Sequence, residues 1–210
     1  MALILFDFDG VLADTLDDLL QFGQEVCGEL GVVHTVVRED LSTLKVMSFA
    51  TFGLQLEVPE ALIDEFVRRC LEKVAEKESP PAIFDGLSEV VRKLSARHVL
   101  GIVTTNTAKN VKAFLAQHKL EECIRVIYGL DQPGTKAEKI SRARNQYTAA
   151  GEAVFMIGDA VSDILAAKQA SAKSIAVSWG HQSLDRLVDA GPDHVVNSIG
   201  ELSRLLEAAI

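Results

Sequence analysis

The sequence predicts an α/β protein in which helices cover both faces of a parallel sheet and a helical segment is inserted after the first strand. Three observations support this class. Short apolar runs alternate with stretches of helical periodicity from residue 84 onward. A separate apolar run over residues 2–6 precedes them. Between the two parts, residues 15–81 repeat their apolar positions at helical spacing, with no clear strand-like run. We therefore expect one sheet and one helical insertion.

The first predicted strand covers residues 2–6, five consecutive apolar residues that end at a charged side chain. Such a run is typical of a strand buried on both faces. Asp7 and Asp9 follow it, and side chains two apart in an extended chain point the same way. Burying two neighbouring carboxylates is costly unless a cation lies between them. The end of this strand therefore predicts a functional site.

Residues 15–81 are predicted to form the insertion, which leaves residues 1–14 and 82–210 as the core domain. Two apolar stripes at helical spacing support it: Leu16, Leu19, Gly23, Val26 and Leu30, and then Leu62, Phe66, Cys70 and Val74. Residues 78–81 contain two prolines and are a natural return linker. Open parallel sheets bind ligands beyond the carboxyl ends of their strands, where this insertion begins. We therefore predict that it forms a cap over the site.

The remaining elements alternate in chain order. Helices are predicted near residues 87–94, 111–115, 136–150, 162–170, 183–190 and 199–209, and strands at 99–103, 126–128, 153–157, 174–177 and 194–196. Connections between parallel strands of one sheet are right-handed crossovers. The predicted core is therefore a Rossmann-like parallel sheet with helices on both faces.

Polar residues follow four of the predicted strands at the same edge of the sheet. The strand at 99–103 is followed by Thr104, Thr105 and Asn106, and the strand at 126–128 is followed, after a turn, by Lys136. The strand at 153–157 is followed by Gly158 and Asp159, with Asp163 one helical turn later. Carboxylates bind hard divalent cations, while hydroxyl and ammonium groups bind phosphoryl oxygens. Together with Asp7 and Asp9, this set predicts phosphoryl transfer.

Composition narrows the classes of function. The net charge is -9 and no basic run is interleaved with aromatic residues, which argues against nucleic acid as a partner. The N-terminal apolar run is too short for a signal peptide, and no longer apolar stretch predicts a membrane span. Cys27 and Cys70 fall on apolar helix faces, so we expect buried free thiols and a cytoplasmic location.

The chain resembles the haloacid dehalogenase superfamily of phosphohydrolases over nearly its whole length. Four motifs carry the resemblance in order: the Asp-x-Asp-Gly-Val-Leu motif from Asp7, a strand ending at Thr104, the lysine Lys136, and a Gly-Asp-x-x-x-Asp motif with Asp159 and Asp163. Within the superfamily, residues 177–180 and 190–195 are similar to the tail of the phosphoglycolate phosphatase group.

The resemblance implies a role for each carboxylate. Asp7 would be the nucleophile that becomes phosphorylated, and Asp9 would move protons to the leaving group and from water. The dehalogenases that name the superfamily lack an aspartate at the position of Asp9, which favours phosphate esters. The implied cofactor is Mg²⁺, with a ligand set of the Asp7 carboxylate, the Asp9 backbone carbonyl and Asp159, and with Asp163 as a direct ligand or a supporting one.

The resemblance also implies the groups that hold the phosphoryl oxygens. These would be Thr104, Lys136 and the backbone around Thr105, in the stretch that ends at Asn106. Many relatives have Lys-Pro-x-Pro at the lysine motif, whereas Lys136 is followed by Ala-Glu-Lys. Lys139 is therefore kept as the second candidate. Two interpretations stay open for Lys45 in the insertion: contact with a substrate carboxylate, or a solvated surface position.

The implied function is Mg²⁺-dependent hydrolysis of a small phosphorylated metabolite, with phosphoglycolate favoured, by a monomer or homodimer. A phosphomutase like β-phosphoglucomutase would use the same four motifs and is the main alternative. A receiver-like signalling domain also combines carboxylates, a threonine and a lysine, but it is shorter and has no helical insertion. A phosphonate hydrolase would call for a Schiff-base lysine in the cap and would not need Asp9. A non-catalytic scaffold is disfavoured because every motif is intact.

Overall fold

A computed structural model describes residues 1–44, 46–77 and 79–209 of the chain. The strands are β1 (Leu3–Phe6), β2 (Ala13–Asp14), β3 (Ala82–Ile83), β4 (Val99–Val103), β5 (Val126–Tyr128), β6 (Val154–Gly158), β7 (Lys173–Val177) and β8 (His194–Val196). Six of them form one sheet in the order β5-β4-β1-β6-β7-β8, and every pair is parallel. The predicted fold class, a parallel sheet with a helical insertion, is confirmed.

The helices are α1 (Leu16–Glu29), α2 (Arg38–Ser42), α3 (Phe49–Gln55), α4 (Ile63–Glu76), α5 (Leu87–Ser95), α6 (Ala108–His118), α7 (Lys136–Tyr147), α8 (Val161–Gln169), α9 (Leu184–Asp189) and α10 (Ile199–Ala209). None of the helices described is both long and apolar enough to cross a membrane. Element ends mostly agree with the prediction to within a few residues. Helix α7 ends at Tyr147, three residues before the predicted end, because Thr148 is extended and Gly151 turns the chain with a φ of 87°.

Strand β1 is the centre of the sheet, and its side chains alternate between two apolar layers. Ile4 and Phe6 join the cluster formed with α5, α6 and α10, whereas Leu3 and Leu5 pack towards α7 and α8. All four side chains are fully buried, as expected for a strand covered on both faces. Phe6 lies beside Ile102 on one neighbour and Ile157 on the other. The residues after these strands therefore meet at one edge.

The insertion has its own apolar core. Helices α1 to α4 pack around buried residues of which the largest are Phe52 and Phe66, and Cys27 and Cys70 are buried among them. Gly23 allows α1 to approach α3, because a Cβ at this position would lie 2.6 Å from Phe52 Cε1. Helices α2 and α3 were not predicted individually. The positions of Lys45 and Glu78, the start of the predicted linker, lie outside the described residues.

A two-stranded ribbon joins the insertion to the core. Strands β2 and β3 are antiparallel, with Ala13 opposite Ile83 and Asp14 opposite Ala82. The two crossings of the chain between core and insertion are therefore side by side. Strands of two residues carry no periodicity, so the sequence does not predict this ribbon.

Candidate active site

Three carboxylates meet at the carboxyl edge of the sheet. Asp7 follows β1, Asp159 follows β6, and Asp163 lies in the first turn of α8. One oxygen from each lies within 4.8 Å of the other two, and all three side chains are buried. The backbone is close here, because a Cβ at Gly158 would lie 2.2 Å from Asp163 Cβ. The structure thus brings together three predicted site residues from two strands and a helix.

Burial makes this cluster electrostatically unfavourable. It raises the pKa of Asp159 to about 7, and the charge of Asp7 adds to the effect. Burial likewise raises the pKa of Asp163 to about 7, although the nearby ammonium of Lys136 opposes the rise. Ionised carboxylates this close favour a bound cation.

Lys136 supplies one positive charge to the cluster. Its Nζ lies 2.5 Å from Asp163 Oδ1 and 3.2 Å from Asp7 Oδ1. Burial alone would lower the pKa of Lys136, but the charges of Asp163 and Asp7 outweigh burial and raise it. The Nζ of Lys139, the second candidate, instead donates to the Gly129 carbonyl at 2.8 Å. Lys136 is thus the lysine that contacts the carboxylates.

Asp9 lies beside this cluster and is held by a different partner. Asn106 Nδ2 donates to the Asp9 carboxylate at 3.0 and 3.3 Å. Burial, then the charge of Asp7, raises the pKa of Asp9 to about 6, while the bond from Asn106 opposes the rise. Thr104 is buried, and its Oγ1 accepts from the Asn106 backbone N–H at 2.9 Å. Thr105, on the same turn, is exposed.

The cluster fits a hard divalent cation such as Mg²⁺. Its donors are all carboxylate oxygens, which is the ligand type that this ion prefers. Asp7 Oδ1 is buried, and the 3.2 Å approach of Lys136 Nζ to it is not a well-aligned hydrogen bond, so this oxygen keeps acceptor capacity for a cation. The Asp9 carboxylate is not part of the three-carboxylate group. Its expected contribution is a backbone carbonyl, which stays a prediction.

His181 is a residue of this site that sequence reasoning missed. Its backbone N–H donates to Asp159 Oδ2 at 2.7 Å, and its ring Nε2 lies 3.1 Å from Thr15 Oγ1. Burial lowers the pKa of His181, against the opposing charges of nearby aspartates. No metal-ligand spacing marks this histidine in the sequence. The feature of the sequence that could have indicated His181 is its position in the loop that follows a predicted strand of the same sheet.

The sequence matches a family model for haloacid dehalogenase-like hydrolases over residues 4–177. Phosphoglycolate phosphatase of Synechococcus elongatus is 27% identical, and the match covers 96% of this chain and 95% of that protein. N-acetylmuramic acid 6-phosphate phosphatase of Pseudomonas aeruginosa is 29% identical, with 99% and 95% covered.

Solved structures share the fold along almost the whole chain. A haloacid dehalogenase-like family hydrolase from Streptococcus pneumoniae superposes with a TM-score of 0.84 at 22% sequence identity, and 98% of each chain is covered. The match spans the sheet and the insertion alike, so the insertion is part of the shared fold.

Proposed function

This chain belongs to the haloacid dehalogenase-like hydrolase family and is an enzyme of its phosphatase class, and from that premise we propose that it hydrolyses a small phosphorylated metabolite with Mg²⁺ as cofactor and Asp7 as the phosphorylated residue. The observation that carries this proposal is the buried group of Asp7, Asp159 and Asp163 beside Lys136, with Asp9 adjacent. Bound Mg²⁺ would supply positive charge opposite the phosphoryl oxygens.

In the first half-reaction, an Asp7 carboxylate oxygen attacks phosphorus and the bond from phosphorus to the leaving oxygen breaks. Asp9 donates its proton to that oxygen, so the product leaves as a neutral alcohol. A carboxyl whose pKa is about 6 keeps a useful protonated fraction near neutral pH, which supports Asp9 in this role. Asn106 restricts the carboxyl of Asp9 by donating to it.

In the second half-reaction, water attacks the phosphorus of the aspartyl-phosphate and gives its proton to Asp9. The bond between phosphorus and the Asp7 oxygen breaks, which restores both carboxyl groups and releases inorganic phosphate. Lys136 and Thr104 would hold phosphoryl oxygens during both steps. The contact of Lys136 with Asp7 supports this role, because it puts an ammonium beside the carboxylate that attacks phosphorus.

Phosphorylated carboxylic acids are the favoured substrates, with phosphoglycolate first among them. Two relatives of the chain are named for such compounds, phosphoglycolate and N-acetylmuramic acid 6-phosphate. The insertion lies where the part of a substrate beyond its phosphate would be recognised. We therefore expect the highest kcat/KM among esters that also carry a carboxylate.

The proposal is tested by phosphate release over a panel of phosphorylated acids and sugars, with Mg²⁺ and with EDTA. Asp7→Asn is expected to lower turnover at least about a thousandfold because the nucleophile is lost. Asp64→Asn, an exposed aspartate of α4, is the matched control and should keep full activity. Turnover by Asp7→Asn at the wild-type rate would rule the mechanism out. Phosphate that stays on an organic product would indicate a phosphomutase instead.

A further inference from the structure

Residues 180–183, which we call the docking segment, connect β7 to α9 and lie between the core and the insertion. Gly180, His181 and Gln182 are buried, although two of them carry polar side chains. Buried polar groups are costly unless their hydrogen-bonding capacity is used. The partners of this segment therefore indicate why polar residues are present there.

Gln182 bridges the two parts of the molecule. Its Oε1 accepts from the Val161 backbone N–H at the start of α8, at 2.7 Å. Its Nε2 donates to the Leu44 carbonyl in the insertion, also at 2.7 Å. Gln182 is 2% exposed, so its side-chain amide is shielded from bulk water. One amide thus satisfies a backbone group on each side of the boundary.

Two further hydrogen bonds join the docking segment to the insertion. Arg38 Nη2 donates to the Gly180 carbonyl at 3.0 Å. The Ser183 backbone N–H donates to the Ser42 carbonyl at 3.3 Å. Away from the two ends of the insertion, every hydrogen bond or ion pair between described residues of the insertion and the core ends on the docking segment. Away from its ends, the insertion is therefore hydrogen-bonded to the core through three residues of this segment, Gly180, Gln182 and Ser183.

The same segment contacts the carboxylate cluster. The His181 N–H donates to Asp159 Oδ2, and a Cβ at Gly180 would lie 2.3 Å from Asp159 Cβ. Adjacent residues of one short loop thus contact Asp159 on one side and the insertion on the other. A shift of this loop that released the insertion would also move the partner of Asp159.

We propose that Gln182 is a positioning residue that docks the insertion on the core and thereby fixes Asp159 for metal binding. This inference rests on the proposed function, in which Asp159 is one of the carboxylates that hold Mg²⁺ and the insertion recognises the part of the substrate beyond its phosphate. Because a free-energy link between two sites acts in both directions, the metal would in turn favour the docked insertion.

Gln182→Glu is the variant that tests the proposal. Once ionised, the introduced carboxylate accepts from the Val161 N–H but has no proton to donate to the Leu44 carbonyl, so the core contact is kept and the insertion contact is lost. Because burial favours the protonated acid, which would keep both bonds, all variants are compared at about pH 9. Gln169→Glu, an exposed residue at the end of α8, is the matched control. Arg38→Gln removes the neighbouring bond from an exposed side chain and does not threaten the fold. All three variants lower the net charge by one. An effect of net charge alone would therefore appear in all three, whereas an effect of lost docking would be absent from Gln169→Glu.

The first measurement is hydrogen exchange in the metal-free protein. In Gln182→Glu and Arg38→Gln, the amides of α2 are expected to exchange about tenfold faster, because the insertion can leave the core without global unfolding. The amides of β1 should exchange at an unchanged rate, since they are exposed only by global unfolding. The fluorescence of Trp179, the single tryptophan, should change with them. Trp179 directly precedes the docking segment in the chain, and its indole N–H donates to the Val11 carbonyl.

The second measurement is kinetic. KM for the substrate found in the screen is expected to rise about tenfold in Gln182→Glu while kcat changes much less, since binding has to restore docking. Affinity for Mg²⁺, measured by calorimetry without substrate, should fall as well. Exchange, KM and metal affinity equal to those of Gln169→Glu would overturn the proposal. That outcome leaves the proposed function standing, because the function fails only if Asp7→Asn still turns over.

Discussion

Gly10 has two separate physical reasons to be glycine. Its φ of 77° lies in the left-handed region, which L side chains rarely adopt. A Cβ there would also lie 2.2 Å from Asp159 Oδ2 and 3.1 Å from the ring of His181. We therefore expect Gly10→Ala to destabilise the protein by about 2–4 kcal/mol and to weaken Mg²⁺ binding by displacing Asp159. Denaturant unfolding and calorimetry measure the two effects.

Gly31→Ala is a matched control for this substitution. Gly31 has a φ of 73°, and among the described residues no neighbouring atom lies within 4 Å of the place that a Cβ would take. Gly31→Ala should therefore lower the free energy of unfolding only by the backbone strain, about 1 kcal/mol, and leave the affinity for Mg²⁺ unchanged. Equal effects of the two substitutions on metal binding would contradict the packing argument.

Asn106 is expected to set the pH range of catalysis through Asp9. The bond from its amide stabilises the Asp9 carboxylate and lowers the pKa of Asp9 from the value that burial alone would produce. In Asn106→Ala this pKa should rise further, so the protonated acid persists to higher pH. The falling basic limb of the kcat profile should then move up by about one pH unit or less. A limb that moves to lower pH would contradict the assignment.

The site residues that the sequence predicts lie within three residues of the end of an apolar strand or in the first turn of the next helix. Asp7, Thr104 and Asp159 follow strands whose ends must meet in a parallel sheet, so their proximity could be predicted. His181 and Gln182 act through a loop whose course is set by its contacts with the insertion. No spacing in the sequence encodes such contacts between distant segments.

Helix α7 is fixed at the end that carries Lys136. Thr135 Oγ1 accepts from the Glu138 N–H at 3.3 Å, and the Glu138 carboxylate accepts from the Thr135 N–H at 2.7 Å. Such a reciprocal cap stabilises the first turn of a helix. We expect Thr135→Ala to reduce stability by about 1 kcal/mol, because the first turn of α7 loses its cap. KM should also rise, because the backbone of Lys136, the first residue of α7, is then held less firmly in place. Thermal unfolding and steady-state kinetics check both parts.

Ser198 provides the corresponding control at α10. Its Oγ accepts from the Glu201 N–H at 3.2 Å, and Glu201 accepts from the Asn197 N–H at 2.7 Å. Ser198→Ala should have a similar cost in stability and leave KM unchanged. A rise in KM of the same size in both variants would mean that stability, and not the position of Lys136, controls the kinetics.

At the scale of elements, segments with a clear apolar pattern could be predicted and segments without one could not. Helices such as α4 and α10 have apolar stripes several turns long, and the six strands of the main sheet are apolar runs bounded by polar residues. Helix α2 has only five residues, and β2 and β3 have two each. Helix α3, which was also not predicted individually, packs through Phe52 against Gly23 of α1, and periodicity does not contain such a tertiary contact.

For the whole molecule, the carboxylate cluster predicts a stability that falls as pH rises when no metal is bound. The pKa values of Asp159 and Asp163 are raised to about 7 in the folded state, so the folded protein binds more protons than the unfolded chain below that pH. Their stabilising contribution is therefore complete in acid and is lost as pH rises through about 7. The metal-free protein should melt at a lower temperature at about pH 8 than at about pH 6.5.

Mg²⁺ should reverse this trend, because it binds the ionised carboxylates and competes with protons. Its gain in melting temperature should thus be larger at the higher pH. Asp159→Asn, which removes one of the ionisable groups, should flatten the pH dependence of the metal-free protein. The same gain from Mg²⁺ at both pH values would indicate that the ion binds elsewhere.

The ribbon of β2 and β3 also has a consequence for how the molecule can be rebuilt. Because Asp14 pairs with Ala82, the two points where the insertion is attached are neighbouring strands, about 5 Å apart. The main sheet is therefore attached to the insertion at one place, and the docking segment is the second contact between the two parts. A different helical unit with equally close ends could occupy that place without altering a strand of the sheet. We therefore expect that residues 15–81 could be exchanged as a unit, provided that the replacement also offers hydrogen-bond partners to the docking segment.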